Sequence, residues 1–160
     1  MKNTIRTVCY VVLVLQLAVA AVFGARTAHT DQPITIRSNE LTADNKLKTA
    51  VFTGNVVARQ GELTIYCDRM TVTYGASEGD VDAIEASGNV RIVQSNRTGF
   101  GEHARYSRKE GKVVLSGGSP RVVQGDDVIS GQTITYFIQD EKSSVSGGRV
   151  EAVLHPRKAD

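Results

Sequence analysis

VFTGNVV, residues 51–57, is the first of four near-copies spread along a chain of 160 residues. EASGNVR at 85–91, VLSGGSP at 114–120 and SVSGGRV at 144–150 repeat its plan: an apolar or small residue, Ser or Thr, Gly, and then Asn or Gly. The glycines Gly54, Gly88, Gly117 and Gly147 fall about thirty residues apart. Gly-Asn and Gly-Gly between β-prone runs mark a turn or corner, because glycine accepts a positive φ without steric penalty and asparagine tolerates one. A chain that needs the same corner at a fixed interval is built as a repeat.

A second element recurs with the same interval. Ser38, Cys67, Gly101 and Gly131 are small residues, each followed by a polar one. Between the two sets lie short runs rich in Val, Thr and Ile that alternate with polar residues, as half-buried strands do, and no helical pattern follows residue 33. The predicted unit is therefore a strand, a Gly corner, a strand and a small-residue corner. Period-two alternation then sorts the side chains. Val56 and Ala58, Val90 and Ile92, Pro120 and Val122, and Val150 and Ala152 share one face with Ile34, Ile36, Leu63, Ile65 and Ile129. Leu41, Met70, Val72, Ala104, Tyr106, Ile134, Tyr136 and Ile138 continue that face beyond the small-residue corners, while Val57, Arg59, Arg91, Val93, Arg121, Val123 and Glu151 take the other. The aliphatic face is wide but holds little bulk: the chain has no Trp and is 6% aromatic. Small aliphatics in a tall stack suit a rolled sheet with a slot, with an ordinary β-sandwich or β-solenoid core as the alternative.

The amino terminus is of another kind. Lys2 and Arg6 precede an apolar run from Val8 to Phe23, broken only by Gln16, and small residues follow. This is the plan of a secretory signal peptide, shorter than the roughly 20 residues that cross a bilayer comfortably; retention as an anchor is the other reading. The 19 Lys and Arg exceed the 17 Asp and Glu by the two that the leader carries, so the mature chain is neutral and has no basic footprint for nucleic acid. Cys9 leaves with the leader and Cys67 remains alone, so stability rests on packing rather than on an internal disulfide.

No catalytic constellation is legible. His29, His103 and His155 are scattered, and Asp80 with Asp82 and Asp126 with Asp127 lack the ligand spacing of a calcium loop and read as solvated turns. Gly99 and Gly101 flank Phe100 without the strand–loop–helix setting of a phosphate loop. Neither a cofactor nor a metal is expected.

The ordered set Asp31-Gln32-Pro33-Ile34, Phe52-Thr53-Gly54-Asn55-Val56, Gln60-Gly61 and Asp68 resembles the opening of the OstA-like domain of the LptA family of periplasmic lipopolysaccharide-transport proteins. SGNVRIVQ, LSGGSPRVVQGDDVISGQTITY and RVEAVLHP extend the likeness to Pro156. The resemblance implies a leader at 1–24, an open V-shaped β-jelly roll at 25–156 and a polar tail at 157–160. It implies a non-enzymatic carrier whose groove takes the acyl chains of lipopolysaccharide. Its lining would be Ile34, Ile36, Leu41, Phe52, Val56, Leu63, Ile65, Met70, Val72, Val90, Ile92, Tyr106, Val122, Ile134 and Tyr136. The implied partners are an LptC-like inner-membrane protein and an LptD-like outer-membrane protein. An open sheet also leaves unpaired backbone groups on its first and last strands, here Ile34–Ile36 and Val150–Leu154. Ile34, Ile36, Val150, Ala152 and Leu154 are therefore expected to carry protein contacts, including head-to-tail self-association. A membrane-anchored LptC-like component and a ligand-free β-repeat adaptor are the competing functions.

Overall fold

The computed structural model describes residues 33–156 apart from positions 78, 139 and 141; the leader, the start of the expected domain and the tail beyond Pro156 lie outside the described residues. Twelve strands form one antiparallel sheet. They are β1 (Thr35–Arg37), β2 (Glu40–Asp44), β3 (Thr49–Gln60), β4 (Leu63–Tyr74), β5 (Val81–Gln94), β6 (Arg97–Ser107), β7 (Lys112–Ser116), β8 (Arg121–Gln124), β9 (Asp127–Ser130), β10 (Thr133–Phe137), β11 (Lys142–Ser146) and β12 (Glu151–Val153).

The strand pairings resolve this sheet into two leaves. One runs β2-β3-β4-β5-β6-β7-β10-β11, and the other β1-β3-β4-β5-β6-β8-β9-β12. The long strands β3 to β6 belong to both, one half in each leaf.

The repeated corner is where each long strand passes from one leaf to the other. Gly54 and Asn55 have φ of 80° and 48°, and Gly88 and Asn89 have 76° and 49°. Both pairs lie inside continuous strands, with pairing breaks between Thr53 and Val56 and between Ser87 and Val90. These corners are thus bulges that bend a strand, not the chain reversals that the sequence pattern equally allows. At Gly117-Gly118 and Gly147-Gly148, also at positive φ, the strand stops and resumes in the other leaf. At the outer rim of the second leaf the chain reverses through a third recurring element. Gly61-Glu62, Ser95-Asn96 and Gly125-Asp126 are two-residue hairpin loops closed by Gln60–Leu63, Gln94–Arg97 and Gln124–Asp127. The first loop residue takes φ of 57°, 51° and 60° respectively.

The polar residue that follows each small one now has a role. Asn39, Asp68, Glu102 and Gln132 lay their side chains over Gly54, Gly88, Gly117 and Gly147. A Cβ on Gly54 would sit 2.6 Å from Asn39 Nδ2, and one on Gly117 2.9 Å from Glu102 Cβ. Backbone bonds seal the same junctions: the amides of Asn39, Glu102 and Gln132 donate to the carbonyls of Gly54, Gly117 and Gly147 at 2.9, 3.0 and 3.3 Å. Asn89 Nδ2 donates to Asp68 Oδ2 at 2.8 Å, tying the second corner to its cover.

The corner therefore fails in two separable ways when a side chain is added. Gly88→Ala is expected to lower stability by about 2–3 kcal/mol, from left-handed strain plus collision with Asp68. Gly111→Ala, at positive φ in open space, should lose only about 1 kcal/mol. Urea denaturation of Gly88→Ala with and without Asp68→Gly, which removes the Cβ as well as the carboxylate, measures the collision. Additive effects in that pair would refute the close packing of Asp68 on Gly88.

Candidate functional site

Three ladders of side chains face the interior. In the second leaf the register aligns Ile36, Ala58, Ile65, Ile92, Gly99, Val122, Ile129 and Ala152 across every strand from β1 to β12. In the first leaf Leu41, Phe52, Met70, Ala86, Ala104, Leu115, Ile134 and Val145 form a matching line. Ala43, Ala50, Val72, Ile84, Tyr106, Val113, Tyr136 and Ser143 form a third, one step nearer the hairpin ends. Antiparallel pairing puts directly opposed side chains on the same face, so each ladder is a continuous strip rather than a scatter of contacts.

The two leaves close on each other in the middle. Met70, Val56 and Val90 are 0%, 1% and 2% exposed, and residues of both leaves join in one apolar cluster. Leu115 makes the cross-leaf contact. A Cβ on Gly101 would lie 2.9 Å from its Cδ1 and one on Gly99 3.4 Å from its Cδ2, so β6 has glycine where the leucine of the facing leaf rests. That explains the Gly-Phe-Gly motif: the glycines admit a close approach rather than a phosphate. The slot expected along the whole interior is thus shut at its centre and opens toward the sheet ends. There the same ladders become exposed, at Leu41 (59%) on β2 and Ile129 (36%) on β9.

The residues expected to line the groove divide between the leaves. Ile36, Val56, Leu63, Ile65, Val90, Ile92 and Val122 share the inward alternation of the second leaf, and Leu41, Phe52, Met70, Val72, Tyr106, Ile134 and Tyr136 that of the first. Ile34 precedes β1 and is exposed. Leu115, Val145 and Ile84 belong to the interior without having been singled out in the sequence. Leu115 and Val145 stand two residues before a corner glycine, as Phe52 and Ala86 do, so aligning the repeats on that glycine would have found them.

The ends differ in character between the leaves. The first leaf terminates in β2 and β11, whose charges Glu40, Asp44 and Lys142 blunt the open backbone. The second terminates in β1 and β12, which carry one charge each, Arg37 and Glu151, beside Ile36 and Ala152, with exposed Ile34 before β1 and exposed Val150 and Leu154 flanking β12. Asp127 holds this last strand in place, accepting the His155 amide at 2.8 Å with the His155 ring 3.6 Å away.

The titratable groups do not converge. Among the described residues, no three of His, Cys, Asp and Glu gather into a metal-binding cluster. His103 lies on the outside of the first leaf in a depression of about 570 Å³ with Arg69, Ser87, Arg105 and Ser116, where Arg105 is paired with Glu85 at 3.5 Å. Cys67 is buried in the apolar cluster, and that burial, with the charge of neighbouring Asp68 adding to it, pushes its thiol from 9.0 to about 11.

A sheet folded at a line of glycine corners, closed over an aliphatic interior and open at both ends, is an open β-jelly roll of the lipopolysaccharide-transport type. The chain belongs to the family described as LptA/(LptD N-terminal domain) LPS transport protein, whose model matches residues 35–142. It is 34% identical over 141 residues to the lipopolysaccharide export system protein LptA of Escherichia coli K12, covering 82% of this chain and 76% of that one. The LptA of Haemophilus influenzae is 27% identical over 135 residues, covering 79% and 78% of the two chains. The fold superposes on the crystal structure of LptH, the LptA homologous periplasmic component of the lipopolysaccharide transport device from Pseudomonas aeruginosa. The TM-score is 0.71 at 20% identity, over 79% of this chain and 98% of that one.

The thiol gives this packing a chemical readout. A protonated Cys67 stabilises the fold fully below pH 9, and that contribution is lost as pH rises toward about 11. Native protein at pH 8 is expected to resist iodoacetamide and to react on unfolding, and Cys67→Ala should flatten the fall in stability between pH 9 and 11. Rapid alkylation of the native thiol would contradict its burial.

Proposed function

We propose that this protein is a periplasmic carrier that binds lipopolysaccharide by its acyl chains and passes it from the inner toward the outer membrane. The observation that carries this reading is the apolar ladder of the second leaf, which meets no polar side chain from Ile36 on β1 to Ala152 on β12. Acyl chains gain about 0.8 kcal/mol for each CH₂ removed from water, so a track of this length offers binding energy without a single directional contact. The relatives' names point to the same cargo. The buried centre of the interior is filled by aliphatics and by flexible Met70, with Phe52 the aromatic packed against it, which lets chains enter by displacing soft side chains.

Transport in this scheme involves no bond-making, and no cofactor takes part. The leader at 1–24 directs export and is removed, the domain of 25–156 does the carrying, and 157–160 is a polar tail. An LptC-like inner-membrane protein docks by strand addition at the β1 end and an LptD-like outer-membrane protein at the β12 end. Further copies insert between them head to tail. The exposed apolar residues flanking these strands, Ile34, Val150 and Leu154, support this arrangement because they set apolar surface beside open strand edges that carry only Arg37 and Glu151 as charges.

Photo-crosslinking tests the groove. Probes at Ile36 and Ile92 are expected to capture lipopolysaccharide, while probes at Thr71 and Thr135, outward on the first leaf, should not; equal capture would overturn the inward assignment. Ile36→Asp places a carboxylate where acyl chains exclude water and should weaken binding by more than tenfold with the circular dichroism of the fold retained. For the ends, light scattering should show association that grows with concentration and is lost when the chain is cut before Val150. A strict monomer at high concentration would refute the end-to-end model.

A further inference from the structure

The outward faces of the two leaves are not alike. Antiparallel sheets with one solvated side normally alternate apolar-in with polar-out, and the first leaf does so with Thr, Ser and balanced charges such as Glu85 and Arg105. The second leaf does not. Its outward ladder crosses Arg37, Val57, Tyr66, Arg91, Phe100 and Arg121 in register. The next one out runs Thr35, Arg59, Thr64, Val93, Thr98, Val123, Val128 and Val153, so threonine alternates with arginine or valine as far as β6 and valine alone continues from β8 to β12. Four arginines stand on this face against Glu151 at its far edge. The interior ladders use none of these side chains, so the groove does not account for them.

The arginines are held in a particular way. Arg91 stacks over the Tyr66 ring at 4.0 Å and Arg121 over the Phe100 ring at 4.4 Å. A guanidinium stacked through its flat face keeps its N–H donors at the edge, free for an oxyanion. Arg91 and Arg121 sit two strands apart, about 10 Å, too far for one small anion to bridge. The face therefore suits an array of anionic groups. Valines and ring edges between the arginines decide what kind of array. A hydrated polyanion would leave Val57, Val93 and Val123 against water, whereas the headgroup region of a bilayer receives cationic tips, aromatic rings and aliphatic side chains together.

We propose that the outward face of the second leaf is a docking surface for an anionic phospholipid bilayer, through Arg37, Arg59, Arg91 and Arg121 with Tyr66 and Phe100 as interfacial anchors. Docking lays this leaf flat on the membrane and leaves both sheet ends and the interior unobstructed. It is independent of groove occupancy.

Vesicle co-sedimentation of the exported protein tests this, using phosphatidylcholine alone or mixed with phosphatidylglycerol at low salt. Binding is expected to the mixed vesicles only, to weaken as salt screens the contact, and to fall tenfold or more in the double variant Arg91→Glu/Arg121→Glu. Arg91→Lys/Arg121→Lys should retain most of it, which guards against loss through misfolding. Charge reversal on the other leaf, Arg69→Glu/Arg105→Glu, and the groove variant Ile36→Asp should bind vesicles as the parent does. Equal binding to both vesicle types, or equal loss from reversal on either leaf, would overturn the proposal. So would loss in Ile36→Asp, or capture of dextran sulfate without capture of vesicles.

Discussion

A β-strand can change direction without ending only where its backbone takes a left-handed step, and the whole architecture depends on that step being repeated at the same height in neighbouring strands. Gly54-Asn55 and Gly88-Asn89 take it inside strands, and Gly117-Gly118 and Gly147-Gly148 take it between them. A single bend would simply break a ladder. Here the adjacent strand bends too, at its small residue, and its next side chain lies across the glycine while backbone bonds continue through the fold line. Two leaves result from one sheet. The aliphatic ladders come to face each other because of the bend, and the sheet ends remain open because nothing in the repeat closes it.

Much of this was legible in the sequence. The corners announce themselves as Thr-Gly-Asn, Ser-Gly-Asn and Ser-Gly-Gly, and the inward residues follow from alternation counted outward from each corner. What alternation does not reveal is which kind of corner is meant. Gly-Asn serves a hairpin loop and a mid-strand bulge equally well, and only the matching bend in the neighbouring strand decides between them. The reversals at the rim of the second leaf, at Gly61, Ser95 and Gly125, share the short signal of Gln followed by Gly or Ser, which is easily passed over beside the stronger motif. The closed centre was less accessible still. Leu115 meeting Gly99 and Gly101 is a contact between leaves, and period-two patterning within a strand carries no information about it.

The alternation also conceals a difference between the outer faces. A row of Arg, Val, Tyr and Phe reads in sequence as a mixed, solvated side. Only the register shows that Tyr66, Arg91, Phe100 and Arg121 lie directly side by side, alternating ring and guanidinium across four strands. Cys67 illustrates the opposite case. Its size class, shared with Ser38, Gly101 and Gly131, was visible as a repeat position, and the structure buries it at that corner with its thiol protonated.

The fold line is not uniform along its length. Four successive strands, β3 to β6, cross it without interruption, whereas β1 and β2, β7 and β8, β9 and β10, and β11 and β12 are separate pieces joined by short links. Seen mechanically, the spine is tacked once at β1 and β2, stitched by continuous backbone through the next four strands, and only tacked from there on. Prising the leaves apart near β4 strains paired strands on both sides of the crease at once; near β9 it needs rotation about a link a few residues long. The trough thereby acquires a stiff stretch set toward its amino-terminal side and a longer compliant stretch after it, a mechanical polarity that runs in the direction of the chain.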